Sequence, residues 1–259
     1  SSNSYEQKLE ITSLKLCSNL SEIKGIGKTY QENLNKLGLF NIRDLISHFP
    51  RTYLDYSNRE KIVNLRPGST YTCTGSIKKF YMHKSKNKSY LSIMNITLFD
   101  GTGSIKITKF FLGKRFTSYT FFSTQKNKFQ IGTKLAISGK VKMTDYGRAF
   151  VDPQIEILNN KEDNHNFSGK IFPIYSLSES ISNLNFIKIM KRILFCSREF
   201  PDILNSCQME ALSLLSIKEA LINIHLPKNQ LYLEEAKRRL LFDELLLLQL
   251  KFLIKRNNR

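Results

Sequence analysis

The sequence predicts an α+β fold: an N-terminal helical hairpin, a central five-stranded β-barrel and a C-terminal helical region. Three observations predict it. Apolar residues recur at helical spacing as far as Pro50, alternate with polar ones between Tyr71 and Ile157, and return to helical spacing beyond Pro173. At 259 residues and 41% hydrophobic content, the chain can form two or three compact units. The expected divisions are 1–60, 61–158 and 159–259.

In the first segment, Leu14, Leu16 and Leu20 lead into Ile23-Lys24-Gly25-Ile26-Gly27. Tyr30, Leu34 and Leu37 then recur at helical spacing until Gly38 stops the run. A second helix starts at Asn41, with Ile42, Leu45, Ile46 and Phe49 on one face and Pro50 closing it. Helix, Gly-x-Gly turn, helix resembles a helix-hairpin-helix, in which the amides around Gly25 and Gly27, with Lys28 beside them, meet a phosphate. Equally, the two glycines permit a tight turn between helices and nothing more.

Five strands are expected near Tyr71 to Phe80, Tyr90 to Phe99, Gly103 to Phe111, Lys134 to Met143 and Arg148 to Leu158. Asp100-Gly101-Thr102-Gly103 and Asp145-Tyr146-Gly147 supply the turn chemistry of two hairpins. The long stretch from Leu112 to Gly132 falls where an OB-fold barrel inserts its extra helix, and so favours that barrel over a sandwich. Between the first two strands, Met82 to Ser89 carries Lys84, Lys86 and Lys88 and no acid, at a position where OB folds touch nucleic acid.

Asn159 to Ser168 reads as a linker, and helices follow near Leu184 to Phe195, Ser216 to His225 and Leu231 to Lys255. The last opens with Glu234, Glu235, Lys237, Arg238 and Arg239 and becomes strongly apolar from Leu240 to Leu250. So apolar a helix needs a partner, either the barrel or a domain outside this chain.

The formal charge is +18, and residues 76–148 hold fifteen Lys or Arg against only Asp100 and Asp145. Charge gathered in one third of the chain points to a polyanion partner, since solubility alone needs no such concentration. Lys109-Phe110-Phe111-Leu112-Gly113-Lys114-Arg115-Phe116 interleaves cations with aromatics where the third strand ends. Single strands are held by that combination, phosphates on the cations and bases stacked on the rings. Phe110 and Phe111 point to opposite sides of a strand, so one ring is expected to be exposed unless the following loop seals it.

Catalytic patterns are not found. Gly27-Lys28-Thr29 imitates the end of a phosphate-binding loop, but Glu22 stands where its first Gly belongs. Leu240 to Glu244 imitates a magnesium-holding acidic pair, yet its spacing is helical, which makes Asp243 and Glu244 surface or cap residues. His48, His83, His165 and His225 are scattered, and Cys17, Cys73, Cys196 and Cys207 form no C-x-x-C pair and read as buried thiols. Ser1 to Glu10 has no signal-peptide character and no apolar run approaches the roughly 20 residues of a membrane span, so a cytoplasmic protein is expected.

Four pieces in order resemble the N-terminal region of the RecG family of branch-migrating DNA helicases. They are Ile23 to Gly27 followed by Asp44-Leu45-Ile46-Ser47-His48-Phe49-Pro50-Arg51-Thr52-Tyr53, the Phe110-Phe111 strand end, Phe172-Pro173-Ile174-Tyr175-Ser176-Leu177-Ser178-Glu179, and Ala236 to Leu240 running into Glu244 to Leu250. Gly113-Lys114-Arg115-Phe116 is similar to cyanobacterial members in particular.

The resemblance implies a wedge domain, an OB barrel that meets a forked or four-way DNA junction, with an ATP-driven motor lying C-terminal to it. It implies that Phe111, then Phe116, stacks on bases at the branch point, with Phe110 as a further candidate. Family members commonly carry Asn after the aromatic pair and Tyr four residues beyond its second ring, where this chain has Leu112 and Arg115. Phosphate contacts fall to Lys84, Lys86, Lys88, Lys109, Lys114 and Arg115. No cofactor is expected in this chain, and ATP and magnesium are expected only for the motor domains. The expected partners are forks, Holliday junctions or R-loops, together with that motor. The alternative is a free-standing OB protein for single-stranded DNA or RNA, which would bind linear strands as tightly as forks.

Overall fold

The computed structural model describes residues 18–158, 171–178, 180–197 and 200–257. The expected linker from Asn159 to Ser168 lies outside these residues, as do Leu14, Leu16, Cys17 and His165. In chain order the elements are α1 (Lys28–Lys36), α2 (Ile42–Ser47), β1 (Thr52–Asp55), β2 (Thr70–Lys84), β3 (Leu91–Phe99), β4 (Ser104–Leu112) and α3 (Tyr119–Lys128). There follow β5 (Lys134–Thr144), β6 (Gly147–Val151), β7 (Gln154–Leu158), β8 (Ile171–Ile174), α4 (Asn183–Cys196), α5 (Ser206–Ala211), α6 (Ile217–His225) and α7 (Gln230–Asn257). The described residues form two compact units, one of residues 18–53 with those from 171 onwards, the other of residues 54–158.

The second unit is the barrel. β2 pairs with β3, β3 with β4, β4 with β6, β6 with β5, and β5 returns to β2, closing the circuit. Alternation drives the closure: Met94, Ile96 and Leu98 of β3 and Ile105 and Ile107 of β4 point inward, with Ile77, Leu135, Ile137, Val141 and Phe150. β2 continues four residues past its expected end at Phe80, to Lys84.

The expected single strand from Arg148 to Leu158 is instead two, β6 and β7, broken at Asp152-Pro153. Asp152 has φ of 51°, a left-handed conformation that no strand residue holds, and Pro153 has no amide to give a ladder. β7 resumes alongside β5.

In the first unit, Asn41 and Asp44 form a capping box that starts α2, whose Ile42, Leu45 and Ile46 are buried as expected. Phe49 is 42% exposed instead of sharing that buried face. The Nε2–H of buried His225 donates to the Ile46 carbonyl at 2.7 Å, and the Tyr175 hydroxyl donates to His225 Nδ1 at 2.9 Å. The Tyr53 hydroxyl donates to the Ile224 carbonyl at 2.5 Å. These bonds, between residues up to 179 positions apart, hold α2 and β1 in one unit with α6.

α7 buries Leu233, Ala236 and Arg239 along one side of its first half. Arg239 is fully buried, paired with Asp202 at 2.5 Å and Asp243 at 2.8 Å, and donates to the Leu215 carbonyl. Asp243 is therefore the counter-ion of a buried guanidinium, not the surface or cap residue that its spacing suggested. Beyond Arg239, Leu241, Leu245, Leu248 and Phe252 are exposed. Among the described residues no helix is long and apolar enough to cross a membrane. Cys73 is buried, Cys196 half-buried and Cys207 exposed, so the expectation of buried thiols fails at Cys207.

Candidate nucleic-acid interface

One rim of the barrel gathers three pieces of chain. Leu91 faces Leu112 across the β3–β4 ladder, so the loop after β2 and the turn after β4 are neighbours. The Ser85 amide donates to the Leu91 carbonyl and the Gly113 amide to the Tyr90 carbonyl, both at 2.8 Å. The Ser92 hydroxyl, fully buried, donates to the Phe116 carbonyl at 2.9 Å. Lys84, Lys86, Lys88, Lys114 and Arg115 are all exposed on this rim, and neither the loop nor the turn contains a carboxylate.

The aromatic residues divide. Phe110 pairs with Ile93 and is 38% exposed on the outer face, so it is the exposed ring of the pair. Phe111 pairs with buried Ser92, lies half-buried and packs its inner side on the barrel core. Its ring centroid is 5.7 Å from Phe116 and 5.2 Å from Phe121, and those two are 5.0 Å apart, a closed triangle of tilted and edge-on rings. The Arg115 guanidinium lies 4.5 Å from the Phe116 ring centroid. Gly113, at φ of 135°, lets the chain turn sharply enough to fold Phe116 back over the strand end.

Phe121 was not singled out in the sequence. Ser118 caps α3 by accepting from the Phe121 amide, which sets that residue in the first helical turn. A cap followed by an aromatic in the first turn was legible; its contact with Phe111 is tertiary.

The family description RecG wedge domain matches residues 19–196. The chain belongs to the RecG wedge domain family. It is 35% identical over 232 residues to the ATP-dependent DNA helicase RecG of Synechocystis sp., an alignment covering 86% of this chain and 27% of that protein. To RecG of Thermotoga maritima it is 30% identical over 240 residues, 92% of this chain and 29% of that one. A solved structure of RecG bound to a three-way DNA junction superposes with a TM-score of 0.53 at 27% identity, covering 96% of this chain and 32% of that one. The chain thus spans about a third or less of the length of these relatives.

Lys109 is set apart from the other candidate cations. Its side chain donates to the Pro153 carbonyl at 3.2 Å and lies 3.8 Å from the Asp152 carboxylate. Asp152 also accepts from the Phe110 amide at 3.0 Å, so the break in the last strand clamps the end of β4.

The glycine turn lies in the other unit. A 3-10 turn, Leu20–Glu22, precedes it among the described residues, and the start of the short helix expected from Leu14 lies outside them. The Arg192 guanidinium donates to the Lys24 carbonyl, and a Cβ at Gly25 would stand 2.7 Å from Arg192 Nη1. Gly25 is required by its backbone, at φ of 103°, since the Arg192 guanidinium is the far end of a flexible side chain. Gly27 caps α1 without crowding, and Lys28 is exposed in its first turn.

Proposed function

We propose that this chain is the strand-separating wedge of an ATP-dependent DNA helicase, gripping branched DNA with one rim of its barrel. The observation that carries the reading is the triangle Phe111, Phe116 and Phe121, capped by Arg115 and flanked by a carboxylate-free lysine loop. Membership of the wedge family and the likeness to a RecG bound to a three-way junction support it.

The chemistry is steric and electrostatic. Lys84, Lys86, Lys88, Lys114 and Arg115 neutralise phosphates of the arms and release their counterions. Phe111 and Phe116 present ring surface where the strands part, and stacking on such a ring contributes about 1–3 kcal/mol per base. Opening one base-pair step costs about 1.4 kcal/mol, so a stacked ring offsets roughly one step and holds a fork open without advancing it. Sustained unwinding needs work from elsewhere. On this reading ATP and magnesium serve motor domains outside these residues, and that motor covers the exposed leucines of α7.

Gly25, Gly27 and Lys28 are proposed as a secondary phosphate contact, through the exposed first turn of α1. The physiological substrates are forks, Holliday junctions and R-loops in the cytoplasm. Competition between a three-way junction and linear DNA tests the reading: preference for the junction supports it, and equal binding of linear single strands favours a simple OB-type binder.

A further inference from the structure

Within the helical unit, α4 differs from its neighbours in charge. α1, α6 and α7 each mix acids with bases, and on α7 the pairs Lys237–Glu234 and Arg238–Glu235 lie at 3.1 and 3.3 Å. α4 carries Lys188, Lys191 and Arg192 and no acid. A solvated helix face ordinarily intersperses both signs, so a face of one sign is a departure that a polyanion partner accounts for.

Packing sets these cations on one side. α4 buries Phe186, Ile187, Ile189, Met190, Ile193 and Leu194, which leaves Lys188, Lys191 and Arg192 exposed together. Among the described residues neither Lys188 nor Lys191 pairs with a carboxylate. Arg192 joins this face to the glycine turn, since its guanidinium donates to the Lys24 carbonyl beside Gly25. Lys24 and Lys28, both exposed, flank that turn. The acids nearest to them in sequence are Glu22, whose carboxylate accepts from the Asn19 amide, and Glu32, one turn along α1 from Lys28. Five cations thus gather against two carboxylates, one of them already bonded to the backbone.

We infer that this face of the helical unit docks the phosphate backbone of an intact duplex arm, gripped by Lys188, Lys191 and Arg192 with Lys24 and Lys28 beside them. Lys188 to Arg192 spans about 6 Å of helix, over which a duplex presents roughly three or four charges and one strand about two. Phe195 is the exposed ring of α4, so the face offers charge and not a row of stacking platforms. Phosphate contacts of this kind position a duplex without reading its sequence. The inference rests on the branched-DNA reading and extends the contact at the glycine turn to α4 and to an unopened arm.

Lys188 and Lys191 are exposed, so replacing both with Gln removes charge without touching the core. The matched control is Lys251→Gln with Lys255→Gln, an equal loss of charge on the exposed end of α7. Anisotropy of a short blunt linear duplex, titrated with the whole chain over a range of salt, reads the contacts. In the α4 variant the log–log salt slope is expected to become shallower by about 1.8, two phosphates at about 0.9 each. The α7 variant on the duplex, and the α4 variant on a short oligothymidylate, are expected to keep the parent slope. An unchanged duplex slope in the α4 variant overturns the surface. So does an equal change in the α7 variant, which would reduce the effect to net charge. An equal loss with the oligothymidylate overturns the assignment to a duplex. The two readings fail separately. A parent slope in the α4 variant with junction preference intact sinks the α4 surface alone, and a shallower slope in a chain without junction preference sinks the wedge alone.

Discussion

Ser92, buried at the end of β3, donates its hydroxyl to the carbonyl of Phe116 at 2.9 Å. The bond ties the turn bearing Arg115 and Phe116 to the barrel, so the triangle's geometry depends on a hydroxyl that touches no ligand. Ser92→Ala leaves that carbonyl without its donor and is expected to cost about 1–2 kcal/mol. Urea midpoints measure this, and junction affinity is expected to fall severalfold with it. A stability loss at unchanged affinity would mean that the turn does not position the rings.

Asp152 makes a similar clamp on the opposite edge of β4. Its left-handed backbone suits Asp or Asn, and its carboxylate accepts from the Phe110 amide. Asp152→Ala loses the bond and strains the backbone, for an expected cost of about 2 kcal/mol. Asp152→Asn keeps both features and is expected to remain within about 0.5 kcal/mol of the parent. Thermal or urea unfolding of the pair separates the bond from the charge.

These contacts mark the limit of what the residues disclosed on their own. Alternation identified the barrel strands because a half-buried strand must place Met94, Ile96 and Leu98 on one side. The turn glycines and the lysine loop followed from local chemistry. The break at Asp152-Pro153 had a warning in Pro153, but the run of Ile155 and Ile157 beyond it continued the strand pattern. Arg239 sat in a charged stretch that reads as helix surface, and only folding brings Asp202 to it from 37 positions away. Likewise no local signal joins His225 to Ile46.

His225 makes the helical unit sensitive to pH. Burial pushes its imidazole down to about 4, against the hydrogen bond to the Ile46 carbonyl and with help from His48. The unfolded chain therefore takes up the proton first. Stability is expected to be full above about pH 6.5 and to fall as pH drops towards 4, by about 3 kcal/mol in all. Urea midpoints between pH 7 and 4 measure the slope. His225→Gln is expected to be less stable at pH 7 and to lose that slope; an unchanged slope would place the titration elsewhere.

The central claim is that the aromatic rim recognises a branch point while the lysines grip phosphate. It is tested most directly by competition binding of a three-way junction against linear single and double strands over a range of salt, with Phe111→Ala beside the parent chain. The expected result is a junction preference in the parent that falls by about 1–3 kcal/mol in Phe111→Ala, with the salt slope unchanged because no phosphate contact is lost. Equal binding to every DNA, indifferent to that substitution, would contradict the wedge and leave a basic barrel that holds nucleic acid by charge alone.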